Sequence, residues 1–142
     1  MLIAGGKPVL LVEDNKIDIA NVHRAFSKCH IENALLVART GQEAFVYLRG
    51  EQGQPRAPMP GLILLDLNMP VMGGLEFLAE IKADSSLQGI PAVVLTTSGE
   101  EADRVNAFRH GCAGYFIKPM SFSDFVEMIH LIALYWELSE QQ

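Results

Sequence analysis

The chain has 142 residues, 49% hydrophobic and 20% charged, which suits one globular unit around a single core and leaves no room for a second. Its net charge of -6 excludes the basic surface that direct binding to a nucleic-acid backbone requires. The apolar runs are too short to span a bilayer, no charged segment followed by a long apolar stretch opens the chain, and Cys29 and Cys112 have neither a CxxC spacing nor disulfide density. A cytoplasmic protein is the expectation.

Lys7 and Pro8 lead into the aliphatic run 9–12, which lacks polar alternation and so reads as a strand buried on both faces. From 17 to 29, Ile19, Val22, Ala25 and Phe26 recur at helical spacing, with Asp18, Asn21, Arg24 and Lys28 on the other face. A second strand is predicted over 34–38 and a second helix over 43–49, where Ala44, Phe45 and Leu48 share a face. The stretch 50–61 carries three prolines and reads as an exposed loop, long for its kind. Then come a strand over 62–65, a helix over 74–82, a strand over 92–96, a helix over 100–110, a strand over 114–117 and a last helix from about Ser121. Five strand and helix pairs in alternation imply a parallel sheet with helices on both sides, since crossovers between parallel strands run the length of the sheet and are right-handed.

In such an open sheet, ligands bind beyond the carboxyl ends of the strands. The residues found there are Glu13 and Asp14 after the first strand, Asp66 after the third, Thr96 and Thr97 at the fourth, and Lys118 after the fifth. Crowded carboxylates raise one another's pKa unless a cation lies between them, and hard oxygen ligands suit Mg²⁺. A metal, a carboxylate nucleophile and a fixed ammonium are the minimum kit for moving a phosphoryl group, with Asp66 as the natural acceptor.

The set Val12-Glu13-Asp14-Asn15, Leu65-Asp66-Leu67-Asn68-Met69-Pro70 with Gly73-Gly74, Leu95-Thr96-Thr97-Ser98 and Lys118-Pro119 resembles the receiver domain of response regulators over nearly the whole chain. The resemblance implies a flavodoxin-like (βα)5 doubly wound sandwich with strand order 2-1-3-4-5, forming a single receiver domain over 1–142 with its core at about 7–138 and no output domain. It implies a two-component switch rather than an enzyme. Asp66 would take a phosphoryl group from a sensor histidine kinase, and Glu13, Asp14, Asp66 and the backbone carbonyl of Asn68 would hold Mg²⁺, for which Mn²⁺ or Ca²⁺ could substitute. Glu13 has a longer arm than aspartate, and its contact could run through a water.

By the same resemblance, Lys118 would contact a phosphoryl oxygen and the Lys118-Pro119 peptide would be cis. Thr96 would move to the phosphoryl oxygens and Tyr115 would swing inward behind it; a static, half-buried aromatic on an edge strand is the other reading of Tyr115. Thr97 stands where many receivers carry a smaller residue, and its β-branched bulk would narrow the entry. The long loop before Leu62, the Leu-Thr-Thr-Ser sequence and the aromatic tail are similar to the small regulators paired with cyanobacterial and bacterial phytochromes, which implies a phytochrome-like kinase as partner.

On the last helix Phe125, Val126, Ile129, Ile132, Ala133 and Trp136 could form one face against the sheet, while Met128, Leu131, Leu134, Tyr135 and Leu138 add a second apolar surface; a helix apolar nearly all round implies a homodimer, expected through Phe125, Met128, Leu131, Tyr135 and Trp136. His23, His30, His110 and His130 lack ligand spacing and are expected at the surface or at helix ends, Cys29 and Cys112 as packing residues, and the polar residues 99–103 as a helix cap. Two other functions stay open. A magnesium-dependent phosphohydrolase of the aspartyl-phosphate type would carry a second acid two residues after the nucleophile, where this chain has Asn68. A pseudo-receiver scaffold would have lost part of the set.

Overall fold

The computed structural model describes residues 1–50, 58–69 and 71–139. Strand β1 (Val9–Val12) is followed by α1 (Lys16–Lys28), β2 (Leu35–Ala38), α2 (Gly41–Arg49), β3 (Leu62–Leu65), α3 (Gly74–Ala83), β4 (Ala92–Thr96), α4 (Glu101–Arg109), β5 (Gly114–Ile117) and α5 (Phe122–Ser139). All neighbouring strands run parallel, in the order β2-β1-β3-β4-β5. The fold and the strand order are those that the resemblance implied.

The strand residues sort by parity. Val9, Leu11, Leu62, Leu64, Val93 and Leu95 face α1 and α5, packing against Val22, Phe26, Phe125, Ile129 and Trp136. Leu10, Val12, Ile63, Leu65, Ala92 and Val94 face α2, α3 and α4, packing against Phe45, Leu48, Phe77, Leu78 and Ile81. Both faces of the central strands are therefore dry, which is why their sequences are continuous aliphatic runs. Burying each such side chain contributes roughly 2 kcal/mol, and that holds the strand ends in register under the charged cluster above them.

Local chemistry sets the helix starts. Asn15 Oδ1 accepts from the N–H groups of Ile17 at 2.9 Å and Asp18 at 3.0 Å, so α1 begins one residue earlier than its apolar period suggests. Thr40 Oγ1 accepts from the Glu43 N–H at 3.0 Å and moves the start of α2 back to Gly41. The expected cap over 99–103 is corrected: Glu100, the residue preceding α4, makes no capping bond with its side chain. Ser98 ties the preceding turn to the helix, its hydroxyl accepting from the Glu100 N–H at 3.3 Å and donating to the first-turn Asp103 at 2.6 Å.

Asn33, a buried amide with no motif around it in the sequence, joins the N-terminal segment to the sheet. Its Oδ1 accepts from Ile3, and its Nδ2 donates to the carbonyls of Ile3 and Lys7. The four histidines are exposed and both cysteines are buried, as expected. Of the loop over 50–61, residues 51–57 lie outside the described part, as do Pro70 of the Met-Pro turn and the Leu138 side chain.

Phe125 and Trp136 correct the expected dimer face. They are 6% and 8% exposed and sit in the core between α5 and the sheet, because a helix lying on a sheet must turn its bulkiest stripe inward. Leu131 and Tyr135, at 64% and 63%, stand outward, and Met128 is half-buried.

Candidate phosphoacceptor site

Register brings the site together. Val12 is paired with Leu65, so Glu13 and Asp66 leave their strands side by side, and the Asp66 N–H donates to the Val12 carbonyl at 3.0 Å. Thr96 is paired with Ile117, and the Lys118 N–H donates to the Thr96 carbonyl at 2.8 Å, which carries the lysine back over β4 toward the same edge. Gly74, at the start of α3, closes the back of the site. Its N–H donates to the Leu67 carbonyl at 3.0 Å, and a Cβ there would lie 2.6 Å from Leu67 Cα and run into the Asp66 carbonyl oxygen. Only glycine permits that approach.

One oxygen from each of Glu13, Asp14 and Asp66 falls within 4.8 Å of the others, the one such acidic group among the described residues. Glu13 and Asp66 are 2% and 6% exposed. Lys118 Nζ is 2.7 Å from Glu13 Oε2, 3.0 Å from Asp18 Oδ2 and 3.9 Å from Asp66 Oδ1. A cavity of about 480 Å³ opens above, lined by Asp14, Asn15, Asp18, Asp66, Asn68, Thr97 and Lys118.

Burial pushes the Glu13 carboxyl up to about 7 despite the pull of the Lys118 ammonium, with the neighbouring Asp66 charge pushing in the same direction as burial. Asp66 is likewise raised by burial, against the pull of Lys118 and of the Asn68 backbone N–H. Burial pulls Lys118 down, but the hydrogen bond and charge of Glu13, with the charge of Asp66 and the hydrogen bond to Asp18, outweigh it and leave the ammonium more firmly charged than usual. One cation thus faces more carboxylate than it neutralises. That electrostatic deficit, made entirely of hard oxygen donors, fits a divalent ion of the Mg²⁺ or Mn²⁺ type.

Thr96 is fully buried, and its Oγ1 accepts from the Ser98 N–H at 3.2 Å, with Asn68 Nδ2 at 3.5 Å. Tyr115 is half-buried on the edge strand, its hydroxyl donating to the Ser98 carbonyl at 2.8 Å. Thr97 is exposed at the cavity mouth. The expected cis geometry of Lys118-Pro119 is corrected, since no peptide bond among the described residues is cis. Lys118 already reaches Glu13 from the trans form, which is also the lower in energy before proline.

Asp18 is the site residue that sequence reasoning misses. Helical periodicity places it only on the polar face of α1, although its first-turn position, four residues after Asp14, sets it on the same edge.

The pattern of the response regulator receiver domain matches residues 9–130, a span that contains every residue of this cluster. The chain belongs to the response regulator receiver family. This receiver is 38% identical over 130 residues to the response regulator Rcp1 of Synechocystis sp., covering 92% of its own length and 88% of that protein. It superposes with a TM-score of 0.86 on the phosphorylated cyanobacterial phytochrome response regulator RcpA, at 39% identity over 92% of this receiver and 93% of that chain. With the Mn²⁺-bound form of Rcp1 the TM-score is 0.81, at 37% identity over 92% and 94% of the two chains. Receivers of this family are two-component switches that bind divalent metal, and the Glu13, Asp14 and Asp66 cluster fits that property.

Proposed function

We propose that Asp66 is the phosphoacceptor of this receiver and that a phytochrome-type histidine kinase is its donor. The observation that carries the reading is the buried Asp66 carboxylate held between two further acids and one ammonium at the mouth of an open cavity. Asp66 attacks phosphorus, a new bond forms between its carboxylate oxygen and phosphorus, and the bond to the donor nitrogen breaks with its electron pair remaining on the imidazole. The other ring nitrogen of that histidine carries a proton, so the imidazole leaves neutral. Glu13, Asp14, Asp66 and the Asn68 carbonyl would hold a divalent cation, Mg²⁺ by preference, which supplies positive charge to the transferring oxygens. Lys118 contacts one of those oxygens.

The kinase assignment is supported by the likeness to Rcp1 and RcpA and by the surface beside the cavity. Ile17, Val71 and Met120, all strongly exposed, lie on the segments that follow β1, β3 and β5, an apolar rim for a helix bearing the phosphohistidine. A cytoplasmic location fits this partner, and no described helix is long and apolar enough to cross a membrane.

The switch runs through Ser98, which joins Thr96 to Tyr115: its N–H goes to the Thr96 hydroxyl and its carbonyl accepts from the Tyr115 hydroxyl. Thr96 turning to a phosphoryl oxygen would free both ends. The helix beside this link, α4, fully buries only Ala107 and is lightly anchored. A second copy of the chain is proposed to cover Leu131 and Tyr135 on α5, with Met128 at the margin.

Among the alternatives, a phosphohydrolase would place its acid where Asn68 stands, and a pseudo-receiver would lack one of Asp66, Thr96 or Lys118. Incubation with acetyl phosphate and Mg²⁺, followed by intact mass, tests the reading. One phosphate gained by the protein and lost in Asp66→Asn supports it; no gain, or continuous release of phosphate from many esters, overturns it.

A further inference from the structure

Lys118 carries three N–H donors, and the structure spends two of them on Glu13 and Asp18, leaving Asp66 beyond hydrogen-bond reach at 3.9 Å. The two bonded partners differ in kind. Glu13 is buried and also accepts from the Asn15 N–H, whereas the Asp18 side chain is 33% exposed and has Lys118 as its ion-pair partner. Asp18 and Lys118 together form the wall between the phosphoacceptor cavity and a smaller cavity of about 80 Å³ under Pro119 and Met120. Their bond links α1 to the segment after β5 across a hundred residues of chain.

We propose that Asp18 is a positioning residue that holds the Lys118 ammonium at this wall in the unmodified protein and gives it up when a phosphoryl group draws the ammonium toward Asp66. The inference rests on the reading of Asp66 as phosphoacceptor. When Asp66 forms its bond to phosphorus and the donor departs with the electron pair, Lys118 exchanges its bond to Asp18 for one to a phosphoryl oxygen. No proton moves, and the half-exposed Asp18 carboxylate takes water in place of the ammonium. Asp18 thereby restrains modification: it withholds the Lys118 ammonium from the acceptor and competes with the transferring group for it.

The test is the rate of mass gain with acetyl phosphate and Mg²⁺ in the wild-type protein, Asp18→Asn, Asp18→Ser and Asp18→Glu, with Asp66→Asn as reference. Losing a competing charge at this distance predicts a gain of roughly 3- to 10-fold for Asp18→Asn. Asp18→Ser, which also suits the first turn of a helix, gains likewise, and Asp18→Glu stays near the wild-type rate. The gain persists at about 1 M KCl, because the pair is partly buried and short-ranged. Unchanged or slower modification of folded Asp18→Asn and Asp18→Ser overturns the inference while leaving Asp66 as acceptor. A gain that vanishes in high salt also overturns it, since Asp18 would then merely repel the anionic donor. A wild-type protein that never gains mass removes the reading of Asp66 and this inference together.

Discussion

Lys118 Nζ lies 2.7 Å from Glu13 and 3.9 Å from Asp66, so in the unmodified protein the ammonium is bound to Glu13 and not to the proposed acceptor. A cation bound among the carboxylates would change that balance, because Glu13 would gain a second positive neighbour beside Lys118.

Glu13 is raised to about 7 in the fold from an unfolded value of 4.5, so its contribution to stability is present below the unfolded value and is lost as pH rises through about 7. The raised Asp66 acts in the same direction. A bound divalent ion reverses the sign by favouring the ionised forms. The rise in Tm caused by Mg²⁺ is therefore expected to be larger at about pH 8 than at about pH 5.5, by about 2 °C or more in thermal denaturation. An increment independent of pH would contradict the assignment of these carboxylates as ligands.

Thr97 stands exposed among the residues that line the cavity, and its branched side chain is expected to narrow the approach of donor or water to Asp66. Thr97→Ala is expected to speed phosphoryl turnover by about 3-fold, read from the gain and decay of the phosphorylated mass over time. Identical time courses would show that the mouth is wide enough already.

Gly74 cannot accept a Cβ without displacing the backbone of Asp66 and Leu67. Gly74→Ala is expected to cost about 1–3 kcal/mol in urea unfolding, and to slow phosphorylation in the fraction that remains folded. Gly89, where an added methyl group would meet nothing within 4 Å, serves as the control, and Gly89→Ala is expected to leave both measurements nearly unchanged.

Leu131 and Tyr135 expose most of their side chains on α5, whereas Phe125 and Trp136 on the same helix are buried. Leu131→Glu is expected to lower the dimer fraction in sedimentation at least tenfold while shifting monomer stability by no more than about 0.5 kcal/mol. A wild-type mass that stays monomeric at all concentrations, with and without phosphorylation, would remove the dimer.

The sequence alone determined the order and type of all ten main elements, because strands buried on both faces must be continuous aliphatic runs and the helices between them must carry one apolar stripe. It also determined the strand-end members of the candidate site, since strand ends in a parallel sheet share one edge and Glu13, Asp66, Thr96 and Lys118 each follow or close a strand. Tertiary structure decided what no linear pattern encodes. That Asp18 holds Lys118 depends on a bond between residues a hundred positions apart. Which side of α5 faces inward, and hence that Phe125 and Trp136 are core while Leu131 and Tyr135 are surface, was open because the helix is apolar nearly all round. The trans Lys118-Pro119 peptide was equally out of reach, for proline tolerates both isomers and the surrounding packing selects between them.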